Sequence, residues 1–532
     1  MASAPELLVI GLLHTLDPAR PVAQAALVRD GRFACVGTVE ACAARAAPGA
    51  RRIEVGSAVP GLVDAHGHVM GLGRAELEVS CTGLPTEDAC VARAAERARA
   101  LPEGSWIRGR GWDQNRWPGQ AFPTEARLSR AVPDHPVFLV RVDGHAGWAN
   151  AAALAAAGIG PDTQDPPGGK LVRDARGRPT GVLVDAAMDL VLKRIPAPSP
   201  AEIEEALRRG MDALVRLGIT AAHDAGVTPE VLDVYRRLAA EDRLPLRVYA
   251  MIEGEGTPAD LTARMARWKA SPEVGRLTVR AVKIYADGAL GSRGAALHED
   301  YSDDPGNRGL FLTAPDLLRE KVRAVVQAGF QPAIHAIGDR GIAETISAIE
   351  GAGERGAVRA LRPRIEHLQI VRLADLPRLA AAGVVASMQP SHATSDAPWV
   401  PARLGAGSAR LAGAYAWRSV LRAGVPLAFG SDFPIESPDA RLGLAAAETR
   451  LASGAAAPFL PEERLRREEA LRAFTAGAAY AAFAEGRRGM IREGYDADLT
   501  AFAGDVLAVP ASALPALPVT HTMVGGRIAF ER

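Results

Sequence analysis

Apolar and polar positions alternate in two distinct ways along the middle of the chain. Short apolar runs rich in β-branched residues are predicted to be strands, and the Ala-, Leu-, Arg- and Glu-rich stretches between them, such as 201–217, 315–328 and 373–382, are predicted to be helices. This alternation favours an α/β fold, because parallel strands need helical crossovers. Eight strand candidates fit a closed (β/α)8 TIM-like barrel: 59–68, 219–224, 246–252, 277–286, 331–337, 364–368, 384–389 and 426–432.

Both ends of the chain have a different, all-β pattern. Two-residue turns at Asp30-Gly31 and Gly525-Gly526 separate apolar runs, and turns of this kind are typical of hairpins. We therefore expect the termini to pair into one small β-sandwich domain. Its strand candidates are 7–13, 26–36, 52–55, 498–502 and 520–530.

The spacing of the strand candidates predicts a large insertion after the first barrel strand. One βα unit takes ~30 residues, and the interval from His68 to Lys283 is much longer than the three units it should hold. Tryptophans are concentrated in the residues that exceed these three units. There they form either a separate small core or a lid above the barrel. The predicted domains are a β-sandwich at 1–58 and 485–532, a barrel at 59–74 and 205–484, and an inserted lid or substrate subdomain at 75–204.

Composition excludes several classes of partner. The 532 residues are 48% hydrophobic and carry a formal net charge of zero, which gives no basic footprint for nucleic acid or a membrane surface. A small-molecule substrate is expected instead. The start of the chain lacks the pattern of a signal peptide, and no apolar run is long enough to span a membrane, so we expect a cytoplasmic protein. The four cysteines match no metal or redox motif and are expected to be reduced thiols.

The candidate chemistry lies where the predicted strands end. His66 and His68 are two residues apart at the end of the first barrel strand, so both imidazoles face one side and can bind one metal ion. In a (β/α)8 barrel the active site lies at the carboxyl ends of the strands. Other ligand-capable side chains at such ends are Lys283, His335, His367 and Asp432.

Imidazole and carboxylate ligands suit zinc and related divalent ions. Such an ion lowers the pKa of water from ~15.7 to about 7 and polarises a carbonyl. Asp432 is then expected to act as general base and afterwards as general acid toward a leaving amine. Lys283 does not fit this set as an ammonium, and the residues alone favour an ion pair with Asp287 or Asp432.

Several long motifs resemble the amidohydrolase superfamily, and more narrowly the amidohydrolase 3 family, which includes N-substituted formamide deformylase. The motifs are Pro60-Gly61-Leu62-Val63-Asp64-Ala65-His66-Gly67-His68, Gly109-Arg110-Gly111-Trp112-Asp113-Gln114, Asp143-Gly144-His145, the segment from Val282 to Arg293, His335-Ala336-Ile337-Gly338-Asp339 and Gly430-Ser431-Asp432.

The resemblance implies a carboxylated Lys283 that bridges two metal ions. His66, His68 and Asp432 would complete one site, and His335 and His367 the other, with one or two ions per chain, most simply zinc. The implied reaction is cleavage of a C–N bond in an amide, N-formyl or N-acyl compound. The alternative is deamination or opening of a cyclic amide on the same site. A third and less favoured hypothesis is a non-catalytic barrel with a binding or assembly role. The resemblance also favours a homodimer.

Four residues are candidates for substrate binding. His145 is expected to bind the substrate carbonyl, and Trp112 to wall the pocket. Arg293 offers forked donors for a carboxylate or carbonyl, or else braces its loop. His223 is equally well explained as a packed core histidine. The remaining histidines, His14, His135, His298, His392 and His521, are expected to be ordinary surface or loop residues.

Overall fold

The computed structural model describes residues 6–142, 144–269 and 272–532. The chain forms two compact units, one from Met1–Val69 with Met211–Arg532 and the other from Met70–Gly210. None of the helices in these described ranges is long and apolar enough to cross a membrane. The division into three domains stays a prediction.

Eight parallel strands form the barrel of the first unit, which confirms the TIM-like fold. The first and last strands meet through two backbone hydrogen bonds: Asp432 N–H donates to the carbonyl of His66 at 2.7 Å, and His68 N–H to that of Phe433 at 2.8 Å. The barrel is therefore nearly closed. Its strands, in spatial and chain order, are Leu62–Gly67, Ile219–Val227, Arg247–Glu253, Leu277–Tyr285, Gln331–Ala336, Arg364–His367, Val385–Met388 and Leu427–Phe429.

Helices follow the barrel strands and cover their outer faces. In Asp339–Glu350, for example, Ile342, Ile346 and Ile349 are buried at helical spacing. The helices from the second strand onward are Pro229–Ala240, Pro258–Lys269, Pro315–Gln327, Asp339–Glu350, Arg355–Ala360, Leu376–Ala382, Pro390–Asp396, Val400–Leu404, Trp417–Arg422, Ala440–Thr449, Arg467–Arg472 and Ala478–Ala481; Pro200–Arg216 precedes the second strand.

The two termini build one seven-stranded sheet, as expected for the small β-sandwich domain. Leu499–Phe502 pairs antiparallel with Arg51–Pro60, which pairs parallel with Leu7–His14. Val9 and Phe33 belong to the buried core of this sheet. The remaining strands are Val22–Arg29, Arg32–Gly37, Val519–Val524 and Arg527–Glu531, and the helix Val39–Ala43 packs beside them.

The predicted strand at 59–68 is in fact two strands. Arg51–Pro60 belongs to the terminal sheet, and Leu62–Gly67 begins the barrel. Gly61 forms the junction, where its N–H donates to the carbonyl of Asp498 at 2.9 Å. A Cβ at Gly61 would lie 2.3 Å from Thr220 Oγ1, so only glycine fits this close crossing.

The second unit contains a six-stranded sheet and its own aromatic core. Trp112 and Trp148 are fully buried, with ring centroids 6.4 Å apart, and Trp117 packs on both. These rings therefore hold this unit together. Its strands are Val79–Ser80, Ile107–Trp112, Val137–Arg141, Ala146–Ala149, Gly169–Arg173 and Pro179–Asp185, and its helices include Val69–Leu77, Glu87–Ala98, Glu125–Ala131, Ala151–Ala156 and Asp189–Leu192.

The cysteines are not all reduced. Cys35 and Cys42 form a disulfide, so the expectation of free thiols is wrong for this pair. Cys35 lies in the strand Arg32–Gly37, and the short helix that follows folds Cys42 back to a Cα–Cα distance of 5.5 Å, which suits a disulfide. Cys81 and Cys90 are free and buried.

Candidate metal and catalytic site

The carboxyl end of the barrel holds the ligand-capable side chains in one place. His68, Lys283, His335, His367 and Asp432 line a cavity of about 400 Å³. His66 lies beneath them, fully buried, with Nε2 3.1 Å from Lys283 Nζ. Six side chains from five different strand ends therefore converge.

Three of these residues form a compact donor set for a cation. His68 Nε2 lies 3.2 Å, and His66 Nε2 3.7 Å, from Asp432 Oδ1, and all three ligand atoms fit within 4.8 Å of one another. Two imidazoles and one carboxylate are suitable ligands for zinc or a similar divalent ion.

The outer nitrogens of the histidines are held as a metal site requires. His66 Nδ1 lies 2.5 Å from Glu366 Oε2, His68 Nδ1 2.9 Å from the carbonyl of Ala225, and His367 Nδ1 2.9 Å from Gln389 Oε1. Because an acceptor lies beside each Nδ1, the ring proton is on Nδ1. The lone pair of Nε2 then faces the cavity.

Burial keeps the imidazoles of His66, His335 and His367 neutral. It lowers the pKa of His66 to about 4 and that of His335 to about 3, and nearby Lys283 adds to both shifts. For Asp432, burial raises the pKa, but the contact with His68 Nε2 at 3.2 Å and the other neighbouring histidines outweigh this effect and lower the pKa. Neutral imidazoles beside an ionised carboxylate are the protonation states that bind a metal.

Unpaired buried nitrogens also favour a ligand here. His335 Nε2 and His392 Nε2 are buried and have no hydrogen-bond partner among the described residues. Buried polar atoms are rarely left unsatisfied in native proteins. An ion or a substrate in the cavity would satisfy them.

The backbone at two residues of the site, His367 and Asp432, adopts a conformation that is energetically unfavourable. His367 has φ of 76° and Asp432 φ of 62°, both in the left-handed region, at a cost of about 1–3 kcal/mol each. Gly430 allows the backbone to pass close to the first strand just before Asp432, because a Cβ at Gly430 would lie 2.4 Å from His66 N. Strain of this kind is concentrated at functional sites.

Comparison with known proteins decides the family. The family model described as "Amidohydrolase family" matches residues 56–530. The putative amidohydrolase YtcJ of Bacillus subtilis is 34% identical over 534 residues, which cover 98% of each chain. The chain belongs to the amidohydrolase 3 family. The resemblance inferred from the motifs is thereby confirmed, and this chain is a hydrolase of the amidohydrolase type.

Two further similarities support the assignment of this amidohydrolase. N-substituted formamide deformylase of Arthrobacter pascens is 30% identical over 552 residues, which cover 100% of this chain and 99% of the deformylase. An uncharacterized metal-dependent hydrolase from Pyrococcus furiosus has a TM-score of 0.79 at 26% identity, over 94% of this chain and 100% of that structure.

Lys283 of this amidohydrolase makes no ion pair with any residue that the structure describes. Within the described residues no carboxylate lies within salt-bridge distance of its Nζ, and Asp287 is occupied by the backbone N–H groups of Ala296, Ile337 and Gly338. Burial lowers the pKa of Lys283 to about 8. The pairing that the residues alone favoured is therefore absent from the part of the chain that the structure describes, and a sizeable fraction of the amine is neutral near pH 8.

A buried network beneath the site includes a residue that sequence reasoning missed. Glu366 accepts from Arg364 Nε at 2.7 Å as well as from His66, and Arg364 also donates to His223 Nδ1 at 2.9 Å. Arg364, Glu366 and His223 are at most 2% exposed. A glutamate within a short buried strand is rare unless it is paired, and that signal could have identified Glu366.

His392 was expected to be an ordinary surface or loop histidine, and this is wrong. It is 8% exposed and lines the cavity, with Nε2 3.8 Å from Asp432 Oδ2. Gln369 Nε2 donates to His392 Nδ1 at 3.2 Å, so the neutral ring carries its proton on Nε2. The sequence signal is its position in the helix Pro390–Asp396, directly after the seventh strand.

The four candidate substrate contacts have different surroundings. Arg293 donates to both oxygens of Asp303, at 3.2 and 3.1 Å, which favours a role in bracing the loop. His223 packs in the core, 5.1 Å from the ring of Tyr249. Trp112 and His145 lie in the second unit, where Trp112 is buried and His145 is exposed and contacts Asp185 at 2.8 Å. Asp143 of the His145 motif lies outside the described residues.

Proposed function

We propose that this protein hydrolyses a C–N bond in an amide, N-formyl or N-acyl compound of low molecular mass, with a divalent metal. The observation that supports this most directly is the convergence of His66, His68 and Asp432, backed by hydrogen-bond partners at both histidine Nδ1 atoms. The relative in Arthrobacter pascens, by its name, is a deformylase of N-substituted formamides. We extend hydrolysis of this type of bond from that relative to this chain.

His66, His68 and Asp432 would hold one ion, and their donor set suits zinc. His335 and His367 would hold a second ion, and Lys283 would contribute to the same centre. A divalent ion supplies Lewis acidity toward a carbonyl and lowers the pKa of water. Lys283 would become a metal ligand only if its amine added CO2; this addition forms an N–C bond, releases one proton and gives a carbamate whose single negative charge is shared by two oxygens.

Asp432 carries the proton in this scheme. Its ionised carboxylate faces the cavity and accepts the proton of the nucleophilic water. It then returns the proton to the amine nitrogen as the C–N bond breaks. His392, with its proton on Nε2, donates a hydrogen bond to the substrate carbonyl oxygen.

A screen of N-formyl, N-acetyl and N-aminoacyl amines tests the proposal, with the protein loaded with zinc or manganese. We expect release of the amine and one or two bound ions per chain by metal analysis. Absence of bound metal together with no turnover of any amide would contradict it. Release of ammonia instead of a substituted amine would favour the deaminase alternative. A homodimer in the cytoplasm stays our expectation for the assembled enzyme.

A further inference from the structure

The wall of the cavity outside the ligand set is apolar and acidic. Trp399, Leu290 and Ile435 supply the apolar surface, and Asp396 and Glu436 supply two carboxylates. Lys283, at the floor, is the only lysine or arginine among the described residues that line the cavity. Among the described residues of the rim, the negative charge is therefore not balanced by a lysine or an arginine.

Asp396 is half-buried, and no cationic partner of it lies in the part of the chain that the structure describes. Its Oδ2 accepts a hydrogen bond from Tyr415 at 2.5 Å, and in the described ranges no lysine, arginine or histidine nitrogen lies within ion-pair distance of it. Partial burial raises the pKa of Asp396 because the carboxylate loses solvation. A cation brought by a ligand would restore that lost stabilisation.

Gln369 gives a second, independent indication of a ligand. It is 4% exposed and lines the same cavity. Its Nε2 is used by His392, while its Oε1 is buried and has no partner among the described residues. An unsatisfied buried acceptor beside a cavity indicates that the ligand carries an N–H or O–H donor.

We propose that the substrates are N-acyl amines whose amine part carries a second, protonated amino group. This rests on the proposed C–N hydrolysis. The ammonium binds Asp396, the amide N–H donates to Gln369 Oε1, and the carbon chain packs on Trp399 and Leu290. N-acyl amino acids fit poorly, because Arg293, in the loop after the fourth strand, and Arg403, in the helix Val400–Leu404, both bind Asp303 instead of the cavity.

Three matched series of formamides test this inference. Mono-N-formyl diamines from diaminopropane to diaminohexane are compared with N-formyl alkylamines and N-formyl amino acids of the same chain length, using the metal-loaded enzyme. We expect kcat/KM for the best diamine derivative to exceed that of its neutral analogue about tenfold, as for a hydrogen bond to a charged group. The carboxylate series should be slowest. Equal rates across the series would overturn the inference.

Asp396→Asn isolates the charge, because asparagine can still accept the hydrogen bond of Tyr415. We expect the ratio of kcat/KM between cationic and neutral substrates to fall toward one in this variant. Asp30→Asn is the matched control, since Asp30 is an exposed turn residue of the terminal sheet, and it should leave the ratio at the wild-type value. A ratio that survives in Asp396→Asn would contradict the role of Asp396.

Direct binding separates this inference from the proposed reaction. Calorimetry with free diamines and metal-free protein should show about tenfold weaker binding to Asp396→Asn than to wild type. If no formamide is hydrolysed but this difference is found, the proposed reaction fails and amine recognition stands. If formamides are hydrolysed without any charge preference, the reaction stands and the inference fails. Binding that does not depend on Asp396 also overturns it.

Discussion

Glu366→Gln changes one atom beneath the candidate metal site and should have two measurable effects. In the wild type both carboxylate oxygens accept hydrogen bonds: Oε1 from Arg364 Nε at 2.7 Å, and Oε2 from His66 Nδ1 at 2.5 Å and Arg364 Nη2 at 3.1 Å. All three side chains are fully buried. Glutamine offers one accepting oxygen and one amide NH2 group.

The new NH2 group has no good orientation. In either orientation the side chain is neutral, so the buried guanidinium of Arg364 loses its counter-charge, which costs about 3–5 kcal/mol. When the NH2 group is turned toward Arg364, it also opposes another donor. Turned toward His66, it requires Nδ1 to accept, and the ring proton moves to Nε2. His66 could then no longer offer Nε2 to a metal, so we expect metal affinity to fall about 10–100-fold.

Urea unfolding of the metal-free protein and competition with a chelating dye measure the two effects separately. Glu350→Gln is the matched control, because Glu350 binds Arg378 through both oxygens, at 3.2 and 2.7 Å, near the surface. The control should lose no more than about 1 kcal/mol and keep its metal affinity. Glu366→Gln protein with the stability and metal affinity of the control would refute this reasoning.

Three further outcomes are expected. Metal analysis and rate measurements should show that Asp432→Asn retains much of the bound metal but loses most turnover, whereas His66→Ala loses both. Equal metal loss in the two variants would mean that Asp432 is chiefly a ligand. Native mass spectrometry of the metal-loaded protein should show the mass of one added CO2, and this added mass should be absent in Lys283→Arg. An unmodified wild type would contradict the carboxylation of Lys283. Burial opposes ionisation of Asp498, but Arg247 lowers its pKa below the ordinary 3.8, so this pair stabilises the fold above that pH and its contribution is lost as pH falls below it. Asp498→Asn should therefore lower the urea midpoint at pH 7 and flatten its acid dependence, and an unchanged profile would count against the pair.

Periodicity was sufficient for most of the fold. The alternation of apolar runs with helical stretches predicted the barrel, because strand and helix periods differ and each is local in the chain. Boundaries were less accurate where two sheets meet. At Gly61 the apolar run continues without interruption, and the change of sheet depends on the contact with Thr220, far away in sequence.

The disulfide and the deeper part of the site could not be predicted for related reasons. Cys35 and Cys42 are joined because a short helix turns back on its strand, and that geometry has no compositional signal. Glu366 and His392 become important only because Arg364, Gln369 and Asp432 are brought against them. Each of these contacts depends on how the barrel strands and their loops are arranged in space.

The amino-acid sequence by itself determined the barrel, the pairing of the two termini and the row of ligand-capable residues at the strand ends, since these follow from hydrophobic period and from where each strand stops. Tertiary structure decided which nitrogen of each histidine faces the cavity, that Lys283 has no carboxylate partner among the described residues, and that His392 joins the site. The physical reason is that protonation state and hydrogen bonding depend on burial and on neighbours from distant strands, which only the closed barrel brings together.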